Sequence, residues 1–208
     1  MNFFAHAVIA SRRDASAAEV LGAMLPDLWS MARLRPDAID DPDVAAGVAL
    51  HHRTDDVFHR APTFLALQAE NRAALEEAGV PHYSALAAAH VGVELVLDGW
   101  LFDQLGALAA YDAALTLEAP AIRWRGEATH DRWRAFLRRL RGADLPARYR
   151  DPIFVGERLV AILSPRRRLA VDEAGAAAIL AWAPTAAPAI EARAAELYAE
   201  TLRGLGEA

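Results

Sequence analysis

The sequence contains no cysteine, which excludes disulfides, thiolate metal ligands and cysteine nucleophiles. Any metal must therefore bind through nitrogen and oxygen atoms. No stretch of about 18 residues is apolar without interruption, and the N-terminus lacks a basic segment followed by an apolar run and a small-residue cleavage site. We therefore predict a cytoplasmic protein with no transmembrane segment.

Alternating runs of β-branched residues are also scarce, which argues against a fold based on sheets. Apolar residues instead recur at helical spacing in a chain that is 54% hydrophobic, and much of that fraction is alanine, the best helix former. The 208 residues show no internal repeat and no linker rich in Gly, Ser or Pro. We predict an all-α fold: a single-domain helical bundle over residues 1–208.

Capping residues and prolines predict where the helices begin and end. A short first helix covers Asn2 to Ala10, and the capping box Ser16-Ala17-Ala18-Glu19 starts a second helix. Because Pro26 interrupts the pattern, this helix is expected to end near Leu25 and leave Asp27 near a turn. The segment Asp41-Pro42-Asp43 opens a third helix that should run to about Arg60. Further helices are predicted near residues 63–78, 84–105, 127–141, 151–163, 170–182 and 186–203.

Three candidate ligands share one face of the third helix. His51, Asp55 and His59 are spaced i, i+4 and i+8, so their side chains leave the helix within an arc of roughly 80°. Imidazole and carboxylate groups placed in this way can chelate a divalent ion. The other interpretation is a solvated helix face, and the spacing alone does not decide between the two.

The same spacing recurs in a much more apolar segment. His90, Glu94 and Asp98 lie at i, i+4 and i+8 between Ala85 and Phe102, among Ala, Val, Leu and Trp residues. Two acids on one face of such a helix are costly to bury unless they are paired, protonated or bound to a cation. The alternative is that this face meets solvent at the edge of the bundle.

His6 and Asp27 are weaker candidates, because each stands alone in its segment. A histidine on a short apolar helix is more often a hydrogen-bonded core residue than a metal ligand. Both gain weight only if the fold brings them to the other candidates. We predict that the helices carrying His51 and His90 pack side by side around one shared cavity, with His6 and Asp27 at its edge. His82 and His130 have no acidic partner at helical spacing and stay unassigned.

The charges are unevenly distributed, and every one of the 22 basic residues is arginine. Residues 123–168 carry 13 arginines against 5 acids, whereas residues 1–122 carry 7 against 17. Arginine forks suit phosphate and carboxylate groups, so this basic segment indicates an anionic substrate or an acidic partner. The acidic chain shows no nucleic-acid-binding motif, and we predict no nucleic-acid partner. A solvated arginine face is the alternative. The partner-binding residues predicted here are Arg138, Arg139, Arg141, Arg166, Arg167 and Arg168.

An ordered set of motifs resembles the acyl carrier protein phosphodiesterases, also called acyl carrier protein hydrolases, which are distantly related to HD-type metal-dependent phosphohydrolases. The set covers most of the chain. It comprises Met1-Asn2-Phe3-Phe4-Ala5-His6, Gly22 to Asp27, Val44 to Asp55 with Gly47, His51 and Arg53, the acids Glu94 and Asp98, Arg148-Tyr149-Arg150-Asp151, and Ser164 to Leu169.

The resemblance implies an HD-like fold and an activity. Members of this family remove the 4′-phosphopantetheine arm from holo acyl carrier protein by hydrolysing a phosphodiester, usually with manganese. We therefore expect a divalent metal, Mn²⁺ in the first place, with Zn²⁺, Fe²⁺ or Mg²⁺ as alternatives. His51, Asp55 and Asp98 are the expected catalytic residues. The predicted metal ligands are His6, Asp27, His51, Asp55, His59, His90, Glu94 and Asp98, and the expected partner is acyl carrier protein.

The chain departs from the family's pattern at several of these positions. An Asp-His pair of the family is replaced by Asp98-Gly99, and His59 stands where the family tends to carry aspartate. His90 lies one turn before Glu94. Two other functions are therefore weighed beside the carrier protein hydrolase. One is a hydrolase similar to zinc-dependent phospholipase C, which the segment Gly22 to Asp27 and the histidine-rich helix also resemble. The other is a helical metal-binding module without catalytic activity.

Overall fold

Helices make up most of the computed structural model, which describes residues 1–102, 107–117, 121–126 and 129–207. The described residues form ten helices and two short strands, so the all-α prediction is confirmed. In chain order the elements are α1 (Phe3–Ser11), α2 (Ala17–Ala32), β1 (Pro36–Ile39), α3 (Pro42–Phe58), α4 (Pro62–Glu77), α5 (His82–Leu101), α6 (Ala107–Leu115), β2 (Ile122–Trp124), α7 (Thr129–Ala143), α8 (Leu145–Arg148), α9 (Pro152–Leu163) and α10 (Glu173–Leu205).

Side-chain caps begin several helices where the sequence indicates them. The hydroxyl of Ser16 accepts a hydrogen bond from the backbone amide of Glu19 at 3.2 Å, which confirms the predicted start of α2. Asp41 Oδ1 accepts hydrogen bonds from the backbone amides of Asp43, at 3.0 Å, and Val44, at 3.2 Å. These bonds satisfy amides that have no partner within the first turn of a helix.

Prolines do not end the helices in which they lie, and here two predictions are wrong. Pro26 is inside α2, so Asp27 is a helical residue and not part of a turn. Pro184 and Pro188 are inside α10, which is one helix of 33 residues where two were predicted. A proline within a helix costs roughly 3 kcal/mol. Buried side chains on both sides of each proline, such as Leu25 and Leu28, stabilise the continuous helix through packing.

The remaining differences concern boundaries and short elements. Helix α3 ends at Phe58, and His59 lies in the turn that follows, although the sequence predicted a helix to about Arg60. Helices α6 and α8 and the antiparallel pair β1–β2 were not predicted. The predicted end of α5 near Leu105 and the predicted start of α7 at residue 127 lie outside the described residues.

The chain divides into two compact units, and each contains two separate stretches of sequence. The first unit is Met1–Asp55 with Leu101–Leu145, and the second is Asp56–Trp100 with Pro146–Ala208. Because each unit combines distant stretches, no single linker separates them, in agreement with the lack of a linker in the sequence. In the first unit α1 packs on α2 and α6, and in the second α10 packs on α4 and α9.

Two glycines allow α2 and α3 to approach closely within the first unit. A Cβ atom at Gly22 would collide with the backbone of Val44, and one at Gly47 would collide with the backbone of Glu19. Since the two helices touch through their main chains, the carbonyl oxygen of Ala23 comes within hydrogen-bonding distance of a side chain on α3. This close approach positions His51, the side chain that meets the Ala23 carbonyl.

In the second unit, α10 holds the start of α4. The carboxylate of Glu200 accepts hydrogen bonds from the backbone amide of Thr63 at 3.0 Å and from its hydroxyl at 3.1 Å. Pro62 occupies the first turn of α4, where a missing amide is tolerated. Glu200 therefore acts as a cap supplied by another helix, and it fixes the helix that carries Phe64 and Gln68.

Helix α5 is long and apolar enough to cross a membrane, but 67% of its apolar stretch is buried inside the protein. A buried core helix meets the same criteria, so this is weak evidence. The predicted absence of a transmembrane segment stays a prediction.

Candidate metal centres

The first cluster brings together His6 from α1, Asp27 from α2 and His51 from α3. Each residue offers one ligand atom, and these atoms all lie within 4.8 Å of one another. His6 and His51 are buried, with 1% and 4% of their surfaces exposed, and their rings stack with centroids 3.9 Å apart. Three residues that are far apart in the sequence therefore converge on one point within the first unit.

Asp55 joins this cluster through both imidazoles. Its Oδ1 lies 3.2 Å from His6 Nε2, and its Oδ2 lies 3.3 Å from His51 Nε2. The amino group of Met1 lies 2.7 Å from Oδ1. Burial alone raises the pKa of Asp55, but the contacts with His51 and His6 and the charge of the Met1 amino group outweigh it and hold the pKa well below the usual range. Asp55 is therefore a carboxylate at neutral pH.

The two ring nitrogens of His51 have different neighbours. Its Nδ1 lies 2.9 Å from the carbonyl oxygen of Ala23, which can only accept a hydrogen bond, so Nδ1 must carry a proton. Nε2 of a neutral ring then has a lone pair, and this lone pair faces the Asp55 carboxylate. Two acceptors are stable at that distance only if a second proton or a metal ion lies between them. A backbone carbonyl that fixes the ring in this way is a common support for a metal-binding histidine.

His6 is suited to be a neutral ligand. Burial lowers the pKa of His6 to about 3, although its contact with Asp55 acts in the opposite direction. The ring is therefore uncharged at neutral pH and retains a lone pair. Both ring nitrogens are buried and make no hydrogen bond with the residues that the structure describes, and Nε2 lies 3.2 Å from Asp55 Oδ1. A metal ion would satisfy such an atom.

A second cluster lies in the second unit and comprises His59, His90 and Glu94. Their ligand atoms also lie within 4.8 Å of one another. His90 and Glu94 are one turn apart on α5, and His59 comes from the turn after α3. The Nε2 atoms of His59 and His90 lie 3.4 and 3.1 Å from the same atom, Glu94 Oε1. Helix α3 ends one residue before His59, and the structure groups His59 with His90 and Glu94 and not with His51.

Glu94 stays ionised although it is 9% exposed. Burial raises the pKa of its carboxyl group, but hydrogen bonds from His59 and His90 contribute to holding the pKa below the usual range. On the far side of the His90 ring, Nδ1 lies 2.8 Å from the side-chain amide of Gln68. The second cluster therefore also has a carboxylate, two imidazoles and a polar group that orients one ring.

The structure thus places the predicted ligands in two groups, with one residue outside them. His6, Asp27, His51 and Asp55 come together, and so do His59, His90 and Glu94. Asp98 is fully buried on α5, one turn beyond Glu94, and belongs to neither group of three ligands found among the described residues. The shared cavity and the catalytic role of Asp98 stay predictions.

The predicted partner-binding arginines fall in both units. Arg138, Arg139 and Arg141 are exposed on α7 in the first unit, and Arg166, Arg167 and Arg168 are exposed after α9 in the second.

A groove of about 390 Å³ in the first unit is lined by three arginines of α7 and by the end of α6. The arginines are Arg134, Arg138 and Arg141, spaced like neighbours on one helix face. Arg139 does not line this groove, and its guanidinium lies 5.8 Å from the ring centre of Phe136.

Sequence reasoning missed two groups that support these sites. They are the carbonyl of Ala23 and the side chain of Gln68. A backbone carbonyl carries no signal in the sequence, and Gln68 lies 22 residues from its partner. Arg134 belongs to the basic segment that the sequence indicated, and with Arg138 and Arg141 it follows the i, i+4, i+7 spacing of one helix face.

No family model, curated protein or solved structure matches this chain. The resemblance to acyl carrier protein phosphodiesterases therefore stays a prediction.

Proposed function

We propose that the chain is a metal-dependent phosphodiester hydrolase that releases 4′-phosphopantetheine from holo acyl carrier protein or acts on a related substrate. One observation supports this proposal above the others. It is the buried cluster of His6, Asp27 and His51, whose ligand atoms lie within 4.8 Å of one another and whose imidazoles both contact Asp55. Two imidazoles and two carboxylates form a donor set for a divalent ion.

The donor set favours a transition metal ion over calcium or magnesium. Imidazole nitrogen suits Fe²⁺ and Zn²⁺, and carboxylate oxygen suits Mn²⁺, whereas magnesium prefers oxygen ligands throughout and retains several waters. Among these ions we propose Mn²⁺, on the family resemblance. A bound divalent ion supplies positive charge for the phosphoryl oxygens and lowers the pKa of water.

The residues of the chain take separate roles in this proposal. His51 is oriented by Ala23 and presents Nε2, and His6 stays neutral because its pKa is about 3. Asp55 is a weak base, since its pKa is held well below the usual range. It therefore serves as a ligand or as a hydrogen-bond acceptor that holds both imidazoles, and not as the group that removes a proton from water.

The arginine-lined groove supports an anionic substrate or partner. Arg134, Arg138 and Arg141 present three guanidinium groups to one groove, and none of them forms an ion pair with another residue of the described ranges. Acyl carrier proteins are typically acidic helical proteins. Attraction between such a surface and this groove would speed encounter more than it would strengthen the final complex.

The proposal is tested with two substrates and one pair of variants. Holo acyl carrier protein and bis(4-nitrophenyl) phosphate are incubated with the protein and Mn²⁺, and release of phosphopantetheine or nitrophenol is measured with and without EDTA. We expect Mn²⁺-dependent hydrolysis of both, lost in His51→Ala and retained in His52→Ala. His52 is the matched control because it is the exposed neighbour of His51 on the same helix.

Other results would replace the proposal with one of its alternatives. Cleavage of 4-nitrophenyl phosphorylcholine but never of holo carrier would favour a hydrolase similar to zinc-dependent phospholipase C. Binding of an ion at His51 without turnover of any phosphodiester would favour a metal-binding module. Hydrolysis that persists in both EDTA and His51→Ala would contradict the metal-dependent mechanism itself.

A further inference from the structure

We propose that His59, His90 and Glu94 bind a divalent metal ion of their own, so that the chain holds two ions. This proposal does not rest on phosphodiesterase activity, and it concerns a cluster that shares no residue with the first. The three ligand atoms converge within 4.8 Å, and all three residues belong to the second unit.

The spacing of the donor atoms fits one ion. The two Nε2 atoms lie 3.4 and 3.1 Å from Glu94 Oε1. Ligands bound to one ion at about 2.0–2.1 Å in a tetrahedral arrangement lie roughly 3.3 Å from each other. The same distances are long for charge-assisted hydrogen bonds, which are typically about 2.7–2.9 Å. Each imidazole nitrogen is therefore spaced from Glu94 Oε1 as neighbouring ligands of a metal ion are, and the two nitrogens lie within 4.8 Å of each other.

The rings are held in place by groups that do not compete for the ion. The amide of Gln68 meets His90 Nδ1 at 2.8 Å, which leaves Nε2 directed at Glu94. In the structure the amide nitrogen, Gln68 Nε2, faces His90 Nδ1. His90 Nε2 carries the lone pair that a metal needs when the amide is turned so that its oxygen accepts a hydrogen bond from Nδ1. The ring of Phe64 packs edge-on against both imidazoles, at 5.3 Å from His59 and 5.1 Å from His90.

An open groove gives an ion a route to this cluster. Its volume is about 460 Å³, and its lining includes His90 and Gln68 together with apolar residues such as Leu86 and Val91. The imidazole side chains are 35% and 33% exposed, whereas the Glu94 side chain is 11% exposed. Water can therefore complete the coordination of an ion whose protein ligands are two nitrogens and one oxygen.

The donor set selects the class of ion. Two imidazoles with one carboxylate suit Zn²⁺, Co²⁺ or Ni²⁺, and a site with one carboxylate and no other oxygen ligand from the chain is poor for Ca²⁺ or Mg²⁺. Three protein ligands with a water in the remaining position are a common arrangement for zinc. Co²⁺ is a suitable probe, because its visible absorption reports the ligands directly.

The test measures cobalt stoichiometry and absorption of the full chain after chelation and dialysis. We expect two equivalents in the wild type and one in each of His51→Ala, His90→Ala and Glu94→Gln. Loss of one ligand should weaken cobalt binding at the affected site by about 100-fold or more. Glu94→Gln keeps the shape of the side chain, so it tests the site even if His90→Ala does not fold.

His82→Ala is the matched control. His82 lies on the same helix as His90 and pairs with Glu76 at 2.6 Å, but it is exposed and is not one of the three converging residues. This variant should keep two equivalents and an unchanged spectrum.

Three results would overturn the proposal. The first is a wild-type stoichiometry and spectrum that persist in both His90→Ala and Glu94→Gln. The second is a single wild-type equivalent that either His51→Ala or His90→Ala removes, which would mean one ion bound by both clusters. The third is a single equivalent that only His51→Ala removes, which would leave the second cluster hydrogen-bonded and without metal. If the first site alone failed, His90→Ala would still remove one equivalent while His51→Ala removed none.

Discussion

The two histidine clusters use similar residues in different surroundings. In the first unit, His6 and His51 are almost completely buried and a backbone carbonyl orients His51. In the second unit, His59 and His90 are about one-third exposed beside an open groove, and a side-chain amide contacts His90. The first cluster also has two carboxylates where the second has one. Burial and charge therefore predict a tightly held ion in the first unit and a more exchangeable ion in the second.

The difference in exposure should affect how strongly metal binding is coupled to the stability of each unit. A partly buried carboxylate is stabilised by a counter-charge, and Asp55, whose side chain is 30% exposed, obtains it from its imidazole and amino neighbours. An ion at the first cluster would take over part of this role, so metal binding and fold stability are coupled there. At the second cluster solvent can supply ligands, and we expect weaker coupling.

The largest expected effect is on catalysis by the first cluster. His51→Ala should lower kcat/KM for a generic phosphodiester at least about 100-fold, because even residues that only support metal ligands contribute 10–100-fold. His52→Ala should change the rate less than about threefold, because His52 is exposed and is not one of the converging ligands, although its ring meets that of His51 edge-on at 5.4 Å. Steady-state kinetics at saturating Mn²⁺ measures both. Equal losses of kcat/KM in the two variants would contradict a specific role for His51 in catalysis.

The sequence predicted the helices better than it predicted the grouping of ligands. Apolar spacing and the cap at Ser16 correctly indicated α1, α2, α3 and α4. The predicted end of α2 near Leu25 was wrong because tertiary packing, which local sequence does not show, keeps the helix continuous through Pro26. The ligand types were evident from the i, i+4 spacing. That His59 faces His90 follows from the end of α3 and from how α4 and α5 pack, which local spacing does not encode.

The next effect is on stability without metal. Asp55→Ala should lower the free energy of unfolding at pH 7 by roughly 1.5–3 kcal/mol, the usual contribution of hydrogen bonds to a charged group. Because the folded-state pKa of Asp55 is lowered from 3.8, the wild-type advantage should be complete above about pH 4 and decrease as the pH falls below that value. Urea unfolding in EDTA between pH 3 and pH 7 measures the difference.

Asp56→Ala is the control for this series. Asp56 is exposed and pairs with Arg60 at 3.2 Å on the surface, so its loss should cost less than about 1 kcal/mol. If Asp55→Ala is as stable as wild type, repulsion between the carboxylates of Asp27 and Asp55 must cancel the stabilisation that Asp55 gains from its contacts.

A smaller effect concerns the arginines of the two units. Replacing Arg134, Arg138 and Arg141 with Glu should raise KM for holo carrier about tenfold at low salt, because the groove would repel an acidic partner. The difference should shrink at physiological salt, where the Debye length is about 8 Å. Hydrolysis of a small phosphodiester should be unchanged.

The same reversal at Arg166, Arg167 and Arg168 provides the comparison in the second unit. These residues lie outside the arginine-lined groove, and Arg166 already donates to the carbonyl of Ile162 at 2.8 Å. We expect a weaker effect on KM for the carrier. A larger effect there than at α7 would assign partner binding to the second unit.

The smallest effect tests how the second cluster is supported. Glu200→Gln should lower the free energy of unfolding by about 1 kcal/mol, because Glu200 caps the helix that carries Gln68 and Phe64. Glu196→Gln, an exposed change on the same helix, should have no measurable effect. Urea denaturation curves of the two variants and the wild type make the comparison. Equal stability of all three would show that α4 does not depend on this cap.

The central claim is that the cluster of His6, Asp27, His51 and Asp55 binds the metal on which phosphodiester hydrolysis depends. Elemental analysis of His51→Ala beside wild type, both purified without added metal and assayed in the same preparation, tests it most directly. The account predicts that His51→Ala loses one equivalent of a divalent transition metal together with the hydrolysis that wild type shows. Equal metal content and equal hydrolysis in the two proteins would contradict it.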